Sequence, residues 1–206
     1  MRVLSLSISV LLAGFAVQPA VAADNFQGLY VGALGAYEDY GSDLIVNGQT
    51  IVSDSAGGPA GGLFVGGSIF DGAWRLAVEG EVLLGGTSDS ASADLSGGGT
   101  ATSTTKVKES VGVAGRYGYV INNSAFLYGR VGWTRTKFNV LYEDPDGIVD
   151  LSETLDGVSY GAGIEWNLMR RLNLRVEYVR TDYEKTYDGT VSTDRQAVRL
   201  GLAAYF

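Results

Sequence analysis

The chain of 206 residues contains no cysteine and no histidine. Without cysteine there can be no disulfide framework. Without either residue type, the side chains that most often act as general bases or activate nucleophiles are missing. We therefore predict that the protein is not an enzyme and that it carries no cofactor.

Long apolar runs are equally scarce, and the one that stands out lies at the N-terminus. Arg2 is followed by an apolar run over residues 3–17 and then by the small-residue site Ala20-Val21-Ala22. This layout is typical of a secretory signal peptide, and the run is shorter than the ~20 residues that a membrane-spanning helix needs. We predict a cleaved signal peptide over residues 1–23 and a single exported domain over residues 24–206.

Positive charge is also in deficit. The formal net charge is −8, and removal of Arg2 with the signal peptide would leave −9. An acidic exported chain is not expected to bind nucleic acid through its overall electrostatics.

What the sequence does contain is glycine, tyrosine and residues alternating between apolar and polar. Thirty glycines and twelve tyrosines accompany a period of two, which indicates β-strands with two different faces. Tight turns and long polar segments follow one another in strict alternation between the strands, which predicts an all-β, eight-stranded antiparallel up-and-down barrel of the transmembrane type. The predicted strands are 26–40, 62–70, 74–86, 106–120, 125–138, 158–169, 172–184 and a final strand after residue 194.

The two predicted faces differ in a way that bears on where the barrel resides. One face of each strand is apolar, whereas the other carries glycine, serine, alanine and charges of both signs, which suits a crowded interior with paired charges. A soluble lipocalin-like carrier would instead place its large apolar residues inside around a ligand, and this alternative stays open. The residues predicted to form the interior charge network are Arg75, Glu79, Glu81, Arg116, Arg130, Glu165, Arg175, Glu177 and Arg199. Within it, Glu79 and Glu81 are expected to be partners of Arg75 and Arg116.

Aromatic residues on the apolar faces fall near the strand ends, as two membrane interfaces would select. Those near the tight turns are Trp74, Tyr117, Tyr119, Trp166 and Phe206, and those near the long connections are Tyr37, Trp133, Tyr160 and Tyr178.

The chain resembles the small eight-stranded outer-membrane barrels related to the OmpA transmembrane domain, and in particular the opacity-type and Omp25/31-like surface antigens of Gram-negative bacteria. The resemblance rests on "FQGLYVGALGAY" (26–37), "WRLAVEGEV" (74–82), residues 159–184 and the terminal "VRLGLAAYF". It implies an outer-membrane location, with contacts to outer-membrane lipid, lipopolysaccharide and the barrel-assembly machinery. The residues matching the family's terminal assembly signal are Val198, Leu200, Leu202, Ala204 and Phe206.

For function, an eight-stranded barrel is about wide enough for side chains to fill, which predicts a plugged interior. We therefore expect a structural anchor that presents four extracellular connections as a surface antigen or adhesin-like scaffold with a host or surface ligand. A small or gated porin-like channel remains the alternative, because the interior carries charges of both signs and many glycines.

One acidic segment also raises the question of a metal. The carboxylates of Asp144, Asp146, Asp150 and Glu153 lie close together in sequence, and such oxygens suit Ca²⁺. The spacing does not match the helix-loop-helix calcium pattern, so this is only a weak calcium candidate.

Overall fold

The computed structural model describes residues 26–46, 49–85, 88–94, 100–144, 147–184 and 191–206. No helix among these residues combines the length and apolarity needed to cross a membrane. The strands of the described residues are β1 (Gly28–Val46), β2 (Gln49–Asp71), β3 (Trp74–Gly85), β4 (Ser88–Asp94), β5 (Thr100–Ile121), β6 (Ala125–Asp144), β7 (Gly147–Met169), β8 (Leu172–Tyr183) and β9 (Val191–Tyr205).

These strands form one closed antiparallel sheet. Apart from β3 and β4, each strand pairs with its neighbours in sequence, and the first strand β1 also pairs with the last strand β9, from Tyr30↔Tyr205 to Leu44↔Val191. β3 and β4 both pair with β5, one after the other along its length. Together they occupy one position in the wall, so the barrel has eight strands in up-and-down order, as predicted.

The register gives the barrel its tilt. A path along hydrogen-bonded neighbours around the wall leaves β1 at Tyr40 and returns to β1 at Tyr30, ten residues lower. Such a stagger goes with strands tilted by about 40° from the barrel axis. The path runs through Tyr40, Arg195, Thr181, Ser159, Gly132, Ala114, Glu79, Gly66 and Tyr30.

The three tight turns lie at one end of the barrel, which we call the lower end. Residues in the left-handed region make these reversals: Gly72 (φ 61°), Asn122 (φ 48°), Asn123 (φ 51°) and Arg171 (φ 66°). Glycine and asparagine adopt positive φ more readily than other residues. The opposite, upper end carries the four longer hairpins.

The long polar segments predicted as loops are largely strand, so that prediction was wrong. β1 and β2 remain paired up to Val46↔Gln49, and β6 and β7 up to Asp144↔Gly147. Even the serine- and threonine-rich segment between the third and fourth predicted strands forms β4 and the first part of β5. Polar residues can continue a ladder because pairing depends on the backbone, and threonine suits strands.

Candidate functional site

The interior of the barrel is filled by a network of arginines and glutamates. All nine residues expected in this network are buried, and Arg116 and Glu165 have no exposed surface at all. Because successive side chains of a strand point to opposite faces, every second residue of each wall strand faces the interior, and the network residues are among these. The alternation in the sequence thus places the charges inside.

Glu79 lies at the centre of the network. Its carboxylate contacts three guanidinium groups: Arg175 at 2.9 Å, Arg130 at 3.3 Å and Arg116 at 3.4 Å. Glu165 in turn accepts from Arg116 at 2.9 Å and from Arg175 at 3.3 Å. These pairs join strands on different sides of the barrel, so the network crosses the interior.

A second part of the network lies around Glu81. Arg130 reaches Glu81 at 2.8 Å, and Arg199 reaches it at 3.0 Å. Glu177 accepts a hydrogen bond from the Tyr128 hydroxyl at 2.8 Å. Arg199, from the last strand, is therefore bonded across the interior to β3.

One expected pairing differs from the structure. Glu79 and Glu81 pair with the four arginines on β5, β6, β8 and β9, whereas the guanidinium of Arg75 lies over the rings of Phe26 and Phe70, at 5.5 and 5.6 Å from their centroids. Glu79 and Glu81 lie farther up β3 than Arg75, whose guanidinium is held by aromatic faces at the lower mouth.

Sequence reasoning missed a second polar cluster near the upper end. Arg195 donates to Glu38 at 3.2 Å and to Thr181 at 3.1 Å, and the Tyr40 hydroxyl donates to Glu38 at 3.0 Å. Tyr183 bonds Thr136 beside them at 2.8 Å. Glu38 has the same strand parity as Tyr30, and Arg195 has the same parity as Arg199, so extending the alternation upward would have found this cluster.

Aromatic side chains fill the remaining interior space below the network. The ring of Tyr30 packs 4.9 Å from Tyr205 and 6.2 Å from Phe64, measured between centroids. The guanidinium of Arg175 lies 4.2 Å from the centroid of Phe64. Charged and aromatic groups are therefore packed together in the described interior.

The outside of the barrel carries a continuous apolar belt, formed by the other half of each strand. Leu202 is 47% exposed, Leu63 67% and Val131 61%, although water-soluble proteins expose few large contiguous apolar patches. The ten residue steps from Val111 to Ile121 span about 33 Å along the strand, or about 25 Å along the axis at this tilt. That is the height of the apolar band of a membrane barrel.

Aromatic residues border this belt on both sides. At the lower border, Trp74 stacks on Tyr117 with centroids 5.3 Å apart and meets Tyr119 edge-on at the same distance. The structure places every aromatic residue expected in the two girdles on the outer face, together with Phe206. The outward residues at the upper border are Tyr37, Trp133, Tyr160 and Tyr178, and those at the lower border are Trp74, Tyr117, Tyr119, Trp166 and Phe206.

Charged residues on the outer face begin where the belt ends. Just above it, Arg135 donates two hydrogen bonds of 2.8 Å to Asp156. These hydrogen bonds lower the pKa of the Asp156 carboxyl below its ordinary value. Arg180 likewise bonds Asp182 at 3.0 Å. The belt is thus bounded by water-facing charge.

The terminal strand fits this arrangement. Val198, Leu200 and Leu202 are exposed on the belt, Ala204 is half-buried on the same face, and Phe206 ends the strand at the lower border. The amide N–H of Phe206 donates to the carbonyl of Leu29 at 2.9 Å. The residues of the predicted assembly signal therefore line one outward edge of the closing seam.

The weak calcium candidate gains nothing from the structure. Asp146 lies outside the described residues, and Asp144 and Asp150 stand on paired strands at the upper hairpin of β6 and β7. Within the described ranges, no group of three or more possible metal ligands comes together. The calcium site stays a prediction.

The family model described as outer membrane protein beta-barrel domain matches residues 7–206. The chain belongs to this family of outer-membrane β-barrels. It is an outer-membrane barrel protein, and the apolar belt is its lipid-facing surface.

The chain is also similar to individual outer-membrane proteins. A 22 kDa outer membrane protein of Rhizobium leguminosarum bv. viciae is 31% identical over 199 residues, which cover 91% of this chain and 82% of the relative. Neisserial surface protein A is 16% identical with a TM-score of 0.51, over 87% of this chain and 98% of that one, and shows the same fold. Ail, the attachment invasion locus protein of Yersinia pestis, is 16% identical with a TM-score of 0.47, over 86% and 99%.

Proposed function

We propose that this outer-membrane barrel is a structural anchor that presents its upper hairpins at the cell surface as an adhesin-like scaffold. The observation that carries the proposal is the division of the barrel at the upper aromatic border. Below Tyr37 the wall is lipid-facing around a plugged interior, and above it β1 continues to Val46. The nine residue steps from Tyr37 to Val46 extend the wall by about 30 Å along the strand.

The hairpin of β6 and β7 offers the most distinctive surface of this upper part. β7 pairs with β6 along its whole length, from Asp144↔Gly147 to Ala125↔Trp166. On its other side, pairing with β8 begins only at Gly157↔Tyr183.

Among the described residues, the upper part of β7 therefore has a strand neighbour on one side only. Next to the last paired residues of β7 and β8, the Glu184 N–H donates to the Asp156 carbonyl at 2.8 Å. An open strand edge can accept an extended segment of another protein through main-chain hydrogen bonds. The exposed side chains of Leu151 and Glu153 would add side-chain contacts to these main-chain hydrogen bonds.

The proposal is tested by trimming this hairpin while keeping the barrel. Phe138 and Glu153 are paired residues, so they can be joined through an Asn-Gly turn, which suits a two-residue hairpin. We expect cells that display the trimmed protein to lose most of their attachment to immobilised extracellular-matrix glycoproteins. Attachment of expressing cells, relative to cells without the protein, is the measurement.

A matched variant trims the hairpin of β1 and β2 by joining the paired residues Ser42 and Asp54 through the same turn. Its attachment should stay close to that of the full protein. Both variants should still shift in gel mobility on boiling, which reports the folded barrel. Equal attachment by all three proteins would show that the β6–β7 hairpin is not the contact surface.

The same proposal covers the partners that the family resemblance implies. Outer-membrane lipid and lipopolysaccharide would contact the belt and the charges above it, and the barrel-assembly machinery would meet the Phe206 end of β9. The protein acts without catalysis in this proposal, because the described carboxylates of the interior are occupied by arginines. The filled interior also gives no support to the porin-like alternative.

A further inference from the structure

Phe26 lies inside the lower mouth of the barrel, although it precedes the first strand. Its side chain has no exposed surface. The ring centroid is 6.2 Å from that of Phe126, and the Arg75 guanidinium lies 5.5 Å from it. The hydroxyl of Ser68 donates to the Phe26 carbonyl oxygen. Ring, charge and backbone contacts together hold this residue in the mouth.

Gly28 makes this position reachable. Its φ of +105° is one that residues with a side chain rarely adopt, and it bends the chain from the direction of β1 into the interior. A Cβ at this position would lie 2.6 Å from the carbonyl oxygen of Phe206. Glycine is therefore needed both for the bend and for the close approach of residue 28 to the Phe206 carbonyl oxygen.

The contacts of Phe26 reach the opposite wall. In the ring of eight wall strands, β6, which carries Phe126, lies farthest from β1. Ser68 and Arg75 belong to β2 and β3. Phe26 thus links the beginning of β1 to three other strands directly beneath the β1–β9 seam, where the Phe206 amide bonds Leu29.

We propose that Phe26 is a cork that seals the lower mouth of the barrel and fastens the β1–β9 seam at that end. The mouth is an aromatic-binding socket, and the chain's own N-terminal segment occupies it. The Arg–Glu network closes the middle of the barrel independently. The cork therefore controls access to the lower interior, whereas the network controls passage through the barrel.

Access to the socket can be measured directly because the natural chain has no cysteine. Val120 is partly buried against the cluster formed by Phe26, Phe126 and Tyr128, so Val120→Cys places a thiol beside the Phe26 ring. In the folded barrel, we expect Phe26→Ala to raise the rate of Val120→Cys labelling by a water-soluble maleimide at least tenfold. Phe26→Tyr should keep the slow rate, since it refills the socket with an aromatic ring.

A second variant distinguishes loss of the Phe26 ring from a general loosening of the barrel. Leu83→Ala, also combined with Val120→Cys, removes a buried side chain higher in the barrel, and it should leave the labelling rate unchanged. Rates are compared for the compact, heat-modifiable form only. Equal labelling with and without the Phe26 ring, or an equal rise in the Leu83→Ala background, would overturn the proposal.

Discussion

Glu79→Gln is expected to lower the free energy of unfolding of the barrel by about 3–5 kcal/mol, the usual cost of leaving a buried charge without its partner. The Glu79 carboxylate forms ion pairs with Arg116, Arg130 and Arg175 at 2.9–3.4 Å. Without its charge, the interior holds an excess of guanidinium groups away from water. The measurement is urea unfolding in lipid vesicles, followed by the fluorescence of the three tryptophans.

Two further variants show whether charge balance is the cause. Glu109→Gln, which neutralises an exposed carboxylate on the outer face of β5, should leave the unfolding midpoint nearly unchanged, since exposed ion pairs contribute little. Adding Arg175→Met to Glu79→Gln should recover part of the lost stability by restoring the original balance of interior charges. If Glu79→Gln and Glu109→Gln had equal midpoints, the interior network would not hold the fold together.

Leu202→Arg is expected to destabilise the barrel by about 2–4 kcal/mol, the cost of an arginine on the lipid-facing side near the middle of the bilayer. Leu202 is on the outer face of β9, between the upper border at Val198 and the lower border at Phe206. The guanidinium would have to enter hydrocarbon or draw water into it. Unfolding in vesicles again gives the difference from the natural protein.

Gln196→Arg is the matched variant for this substitution. Residue 196 is on the same face of the same strand, one outward position above Val198, where water-facing charges begin. Arginine there should be tolerated with little change. Similar losses at positions 196 and 202 would contradict the assigned position of the belt.

The period-two pattern was enough to predict the barrel, its strand number and which residues face inward. Arg116, Glu165 and Arg175 could be placed inside because each shares a strand with apolar residues of opposite parity. The pattern is strong only where one face meets lipid. Above Tyr37 the outer face carries charged residues such as Arg135 and Asp156, so the alternation between apolar and polar residues fades and strands such as the upper part of β7 look like loops.

Partners within the network were harder to predict than faces. The pairing of Arg75 with aromatic rings, and of Glu79 with Arg175 on β8, depends on the ten-residue stagger of the closed wall. No local spacing encodes that stagger, because it arises when β1 meets β9. The position of Phe26 depends likewise on Gly28, whose φ becomes visible only in three dimensions.

The central claim is that the outward residues of each strand face lipid around a plugged interior. Spin labels on single cysteines introduced at positions 197–204 of β9, in a chain with no cysteine of its own, test it most directly. Labels at 198, 200 and 202 should collide freely with oxygen dissolved in the bilayer and be protected from a water-soluble nickel reagent, whereas those at 197, 199 and 201 should be restricted. Access of the nickel reagent to 198, 200 and 202 would contradict the account, because it would place the belt in water.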